Sequence, residues 1–404
     1  MTKLLTALVL IILVVSCKNP EQKTSNEKDN LKDLASPADS LSAEPYLFTD
    51  KNGVVYLSWI TKEAEKSTLN FSVLKDGKWS EPSVIASGND WFVNWADYPL
   101  IASDGDNNLI SHFLEKSEKG TYTYDVKITT SSDQGRSWRA PVILHDDGKK
   151  AEHGFVSIVP YGENYFISWL DGRNTAAEGG DGHNEGHHGQ MTIRGAIVDK
   201  TGKKSNEWEL DNRVCDCCQT SAAITINGPI VAYRDRSDKE IRDMSLVRFV
   251  NGQWTQPKTI FADNWKIDGC PVNGPQIATE GNNLAVAWFS SPEKNAQVNV
   301  VFSNDGGETF SKPVRVDDGN AVGRVDVIMW DYQSAMVSWM EGAVIKAVRV
   351  YEDGRKDTSV IIASSSESRS SGFPQMTKAN KQVIFAWTDD KEKKIKVASL
   401  LLKK

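Results

Sequence analysis

One short pattern, apolar then small then aromatic, recurs along the chain and constrains its fold more than any other feature. It reads Leu57-Ser58-Trp59, Ile167-Ser168-Trp169, Val231-Ala232-Tyr233, Val286-Ala287-Trp288, Val337-Ser338-Trp339 and Phe385-Ala386-Trp387. Ile110-Ser111-His112 is a seventh copy, with histidine in the aromatic slot, where it is expected as a core residue. Successive copies stand 48 to 64 residues apart, close to the period of four-stranded propeller blades. Apolar and aromatic residues alternating with small ones suit strands packed between neighbouring sheets. Each copy is preceded by another short strand, such as Tyr46-Leu47-Phe48 or Gln276-Ile277-Ala278, and followed by a third. In the first six units a turn such as Asp76-Gly77, Asn251-Gly252 or Asp353-Gly354 then leads to a fourth strand. Gly, Asn and Asp supply the positive φ of tight hairpins. The chain therefore reads as an all-β propeller of four-stranded antiparallel blades, seven preferred. The seventh unit ends after its third strand, near Leu402. Either residues around 40–43 close the last blade, or the count is six.

A chain of 404 residues exceeds what one ordinary core supports, and the repeats resolve this as one ring over residues 43–404. Five of the 13 tryptophans fall in the repeated slot. A net charge of -7 argues against nucleic acid as a partner. At the N-terminus Lys3 precedes the apolar run 4–15, which is shorter than the roughly 20 residues a spanning helix needs. The run ends in Val14-Val15-Ser16-Cys17, which resembles a bacterial lipobox. This predicts a signal peptide over 1–16, a lipidated Cys17 and a flexible polar tether over 17–42. It also predicts a place in the bacterial cell envelope, with the membrane touched through the lipid alone. An ordinary signal peptide is the plainer alternative. A monomer is expected of one closed ring.

Two hairpins are more specific. Ser131-Ser132-Asp133-Gln134-Gly135-Arg136-Ser137-Trp138 and Ser303-Asn304-Asp305-Gly306-Gly307-Glu308-Thr309-Phe310 match Ser-x-Asp-x-Gly-x-x-aromatic. These segments resemble the Asp-boxes of the sialidase (BNR-repeat) superfamily, whose members are β-propellers. The aspartate caps backbone N–H groups, the glycine permits the turn and the aromatic packs beneath it. The resemblance implies a propeller and, at its binding face, recognition of an acidic sugar. Sialidases also carry an Arg-Ile-Pro motif, two further arginines and a Tyr/Glu nucleophile pair. No Arg-Ile-Pro occurs in this chain.

In a propeller the loops before the first strand and after the second share one face. Five arginines fall in those loops: Arg173, Arg234, Arg236, Arg324 and Arg369. Guanidinium forks suit carboxylate, sulfate or phosphate; pairing with neighbouring acids is the structural alternative. Asp171, Asp235 and Glu341 stand two residues after the repeated aromatic, so they share its strand face at the rim. They are the candidate acid/base residues of a glycoside hydrolase, with turn-capping as the rival role. Cys215, Cys217 and Cys218 precede the fourth unit, and Cys270 holds the corresponding place in the fifth. An even count in an exported chain favours disulfides, whereas four sulfurs also suit Cu(I) or Zn. His153, His183, His187 and His188 lie on the same face and form a weaker metal candidate, the last three in a Gly-rich insertion.

Three functions fit. The first is an envelope-anchored, sialidase-like propeller that recognises, and in its stronger form hydrolyses, an acidic glycan without a required cofactor. The second is a non-catalytic propeller that binds a glycan or a protein. The third is a metal-handling lipoprotein built on the cysteines.

Overall fold

The computed structural model describes residues 30–175 and 189–402. The predicted Cys17, His183, His187 and His188 sites lie outside those residues. Seven antiparallel sheets of four or five strands follow one another along the chain. The blades span 42–88, 101–143, 153–211, 221–261, 276–315, 321–364 and 375–401. Only two single-turn helices, Pro292–Lys294 and Arg369–Ser371, interrupt the strands among the described residues. The architecture is a seven-bladed propeller.

The seventh blade is closed by Leu31–Leu34, which pairs with Lys394–Leu401 in the register Leu31↔Leu400 to Leu34↔Val397. The closing strand thus lies upstream of 40–43, which adds a Ser40↔Lys394 bridge and hydrogen bonds of Ser42 with Lys393 and Ile395. The ring begins at residue 31, upstream of the start expected at 43. A four-residue strand, Leu-Lys-Asp-Leu, buried among charged residues carries almost no periodic signal. Its two leucines nevertheless pack against apolar clusters of the neighbouring sheets.

The repeated aromatics face the preceding blade. Trp288 packs with Ile230 and Leu246 of blade four, and Trp339 with Phe289 and Val300 of blade five. Trp59, Trp169, Trp288, Trp339 and Tyr233 are no more than 2% exposed. Each buried ring contributes about 2–3 kcal/mol of burial, repeated at every blade junction. Blade two departs from the expected register. Phe113, not His112, fills the slot against Tyr56, Ile60 and Phe71 of blade one, because a one-residue slip exchanges the two faces of a strand. His112 is still fully buried, with its Nδ1 accepting the Leu100 N–H at 3.2 Å.

Around the axis the inner strands are clasped blade to blade. Asp97 accepts the Phe155 N–H at 2.8 Å, Ser157 that of Ala222 at 2.8 Å, Ser221 that of Ile277 at 3.1 Å and Asp326 that of Met376 at 2.7 Å. The Thr49 and Thr377 hydroxyls meet at 2.7 Å where blades one and seven join. These bonds give the inner edges, which have no next strand to pair with, internal partners. The two Asp-box hairpins are near-copies. Gly135 N–H donates to Ser131 Oγ and Ser137 N–H to Asp133 Oδ1, at 2.9 and 3.0 Å. Gly307 N–H donates to Ser303 Oγ and Thr309 N–H to Asp305 Oδ1, both at 2.9 Å.

Candidate functional site

The arginines of the loop face have two fates. Arg234 is 1% exposed and donates to the Asn273, Arg242 and Phe289 carbonyls at 2.7–3.1 Å. Arg324, also buried, donates to Ser371 Oγ and to the Glu367, Ser368 and Gly372 carbonyls. Arg173 forks onto Asp171 at 2.7 and 2.8 Å and reaches Glu207 at 3.0 Å. Arg236 forks onto Glu240 at 3.0–3.1 Å. These four, expected to hold an anionic ligand, hold the protein's own loops together. Arg369 differs: it is exposed, and its guanidinium lies 6.0 Å from the centre of the Trp95 ring.

The three candidate carboxylates stand in blades three, four and six. Asp171 accepts the Trp169 indole N–H at 2.8 Å, and Glu341 accepts that of Trp339 at 2.6 Å. The acid two residues beyond the aromatic satisfies the indole on its own strand face, which is why the sequence repeats the pair. Glu341 also caps the Asp318 and Asn320 N–H groups. Burial opposes ionisation of Asp171, but the fork from Arg173 and the charge of His153 outweigh it and hold its carboxyl below the ordinary range. Burial and the neighbouring Asp211 raise that of Asp235, which accepts from Ser245 Oγ at 3.1 Å.

His153 belongs to a second cluster. Its ring stacks on that of His145 at 3.6 Å, with 4° between the planes. Asp147 Oδ2 stands 3.1 Å from His153 Nε2 and 3.2 Å from His145 Nδ1. Arg173 Nη2 is 3.4 Å from the same oxygen. Burial, then the facing His153, push His145 down to about 4. The ligand atoms of Asp125, His145 and His153, and those of Asp147, His153 and Asp171, each lie within 4.8 Å of one another, and Arg173 shares the Asp147 oxygen.

The cysteines do converge. Cys215 Sγ lies 3.8 Å from Cys217 Sγ and 3.6 Å from Cys218 Sγ, and Cys270 of the next blade interacts with Cys217. All four are free thiols. A disulfide needs about 2.05 Å, so the expected cross-blade disulfide is not formed. Buried Arg242 donates to Cys215 Sγ at 3.2 Å. Burial raises the Cys215 thiol, but bonds from Cys217 and Cys218 and the charges of Arg242 and Arg234 bring it well below its ordinary value.

Along the axis runs a cavity of about 480 Å³. Gln219 donates to the Ala96 carbonyl at 2.6 Å and accepts the Gly274 N–H at 2.9 Å, stitching three blades over the channel. Two lining carboxyls, Asp97 and Asp326, are raised by burial to about 7, partly offset by the N–H groups they accept. Tyr46 and Tyr98 stack beside them at 6.2 Å. None of these four stands out in the sequence, because Tyr46 and Asp326 hold ordinary inner-strand positions and Asp97 and Tyr98 lie in the loop before one, without a distinguishing motif. Trp95 belongs to that same loop. The dense aromatic content of 91–98 was its one available signal.

No protein-family model matches the chain, and no curated protein matches its sequence. Solved structures are similar in fold. A protein of unknown function from Dyadobacter fermentans matches at TM-score 0.54 and 13% identity, over 93% of this chain and 100% of that one. An ulvan lyase of polysaccharide lyase family PL25 matches at 0.52 and 16%, over 78% and 80%. The polysaccharide lyase Uly1 matches at 0.54 and 8%, over 89% and 90%. The class defined is therefore a seven-bladed propeller, similar in fold to these polysaccharide lyases. At such identities the likeness is one of fold.

Proposed function

We propose that this protein is a glycan-binding propeller, anchored in the bacterial envelope through Cys17, that takes an acidic sugar at the loop face. The carrying observation is the exposed Arg369 beside Trp95. Among the described residues Arg369 alone of the five loop-face arginines makes no side-chain hydrogen bond or ion pair to the protein. Its turn is pinned by the four hydrogen bonds of buried Arg324, and Trp95 is backed by Phe373 in a stack at 5.6 Å and 21°. A half-buried ring held by Phe373 and by the Arg324 guanidinium 5.1 Å over it, with an uncommitted Arg369 guanidinium at its exposed side, matches the rim of a pyranose carrying a carboxylate or sulfate. Similarity in fold to polysaccharide lyases supports a saccharide ligand. The engagement of Asp171 by Trp169 and Arg173, and of Glu341 by Trp339, supports binding over hydrolysis by those residues, since a glycosidase needs two carboxyls free to reach one bond. The lipobox-like Val14-Val15-Ser16-Cys17 supports the anchor.

A glycan array of sialosides, uronic-acid oligosaccharides and neutral sugars tests this. Binding confined to acidic sugars, weakened by salt and lost in Arg369→Ala and Trp95→Ala, is expected. Equal binding of neutral sugars, or turnover of a sialoside that Asp171→Asn abolishes, would overturn it.

A further inference from the structure

We infer that Cys215, Cys217, Cys218 and Cys270 form a thiolate site for a soft metal ion, Cu(I) being the best fit. The inference is independent of the glycan reading. It starts from spacing. Two thiolates sharing one ion through metal–sulfur bonds of about 2.3 Å lie about 3.8 Å apart at a tetrahedral ion and about 4.0 Å apart at a trigonal one. The observed separations, 3.8 and 3.6 Å, match that arrangement and exclude a bond between the sulfurs. The ligand atoms of Cys215, Cys217 and Cys218 all lie within 4.8 Å of one another, as do those of Asp216, Cys217 and Cys270. Cys217 thus joins the buried pair to the neighbouring blade.

The surroundings fit a charged centre. Three thiolates around a monovalent ion leave two negative charges. Arg242, 3% exposed, donates to Cys215 Sγ, and Arg234 lies within electrostatic reach of both Cys215 and Cys218. Cys215, Cys217 and Cys218 supply three sulfurs without histidine or carboxylate; thiolates suit both Cu(I) and Zn(II), and a three-sulfur set favours Cu(I) because structural Zn(II) is almost always four-coordinate. Cys215 and Cys218 are buried, Cys217 is half-buried and Cys270 is exposed. The site is closed at its base and open at one sulfur, a gradient that suits an ion acquired and passed on rather than a sealed structural ion. On binding, the thiol protons pass to solvent.

The test uses the full chain with Cys17→Ala, so that the fifth sulfur does not contribute, reduced and kept under anaerobic conditions. Cu(I) is titrated in competition with a chromophoric bicinchoninate chelator, and Zn(II) is tested in parallel. The expected result is one Cu(I) per chain, a thiolate charge-transfer band in the ultraviolet and displacement of Zn(II) by one equivalent of Cu(I). Cys217→Ser is expected to weaken Cu(I) binding at least 100-fold. Cys270→Ser, at an exposed position that leaves folding intact, is expected to weaken it about tenfold. Failure to compete with the chelator, unchanged affinity in both variants, or Zn(II) retained against Cu(I) would overturn the assignment. Disulfide-linked cysteines found by alkylation and mass measurement of the exported protein would also overturn it. Loss of glycan binding in Arg369→Ala leaves the metal result untouched, so the two readings fail separately.

Discussion

Arg234→Met asks whether the buried loop-face arginines serve structure or ligand. The side chain donates four hydrogen bonds to three carbonyls, those of Asn273, Arg242 and Phe289, and lies 4.8 Å over the Trp265 ring. Methionine keeps the apolar stem but leaves three carbonyls without these donors. At about 1–1.5 kcal/mol per orphaned group the loss is about 4 kcal/mol. A ring of this size unfolds with an entropy near 0.8 kcal/mol/K, taking about 2.1 cal/mol/K per residue. The melting temperature should therefore fall by about 5 °C in calorimetry, with acidic-glycan affinity unchanged at temperatures where the variant is folded. Arg234→Lys should recover about half of the loss, because an ammonium cannot reproduce a planar fork. A fall below about 1 °C, together with weakened glycan binding, would refute the reasoning and return Arg234 to the ligand.

Trp339→Phe removes the indole donor from Glu341 and should cost about 2 kcal/mol in urea denaturation. Gly307→Ala should cost more than about 2 kcal/mol by the same measurement, since φ there is +84° and a Cβ would sit 2.7 Å from Ile230 Cδ1. Asp97 has a folded pKa raised to about 7, so its protonated form is favoured by folding. Its contribution is greatest below the unfolded value near 3.9 and is lost as pH rises through 7. Asp97→Asn, which still accepts the Phe155 N–H, should gain stability relative to the unmodified protein between pH 4 and 7, and a flat difference in melting temperature would contradict this. A chain beginning at residue 43 lacks Leu31–Leu34 and leaves the edge of Lys394–Leu401 unpaired; it should aggregate or melt well below the longer chain in light scattering and calorimetry.

Architecture was legible because it repeats. The Trp and Tyr slots recur at every junction but one, and the Asp-box glycines sit where a positive φ is required, so local chemistry and global fold agree. Leu31–Leu34 escaped because four residues cannot establish a period, and the slip at Phe113 because adjacent His112 and Phe113 both suit a buried strand. The loop face was legible as a place but less so as chemistry. Asp171 and Glu341 stand out in sequence for the same reason that Trp169 and Trp339 do: they are partners, and that partnership is invisible until the strand face is built. Likewise an arginine's sequence position does not say whether its fork meets solvent, as at Arg369, or three carbonyls, as at Arg234. The cysteines were legible by their count and by their matching places before the fourth and fifth units, but their separations of 3.6–3.8 Å become visible only in the folded loops.

A crystal structure of the protein with a bound uronic-acid oligosaccharide tests the glycan account most directly. The account places one sugar ring against Trp95, with its carboxylate on the Arg369 guanidinium, and leaves Arg234, Arg324 and their carbonyls undisturbed. A sugar seated in the axial cavity between Asp97 and Asp326, or on the Asp-box hairpins, with Arg369 free, would contradict it.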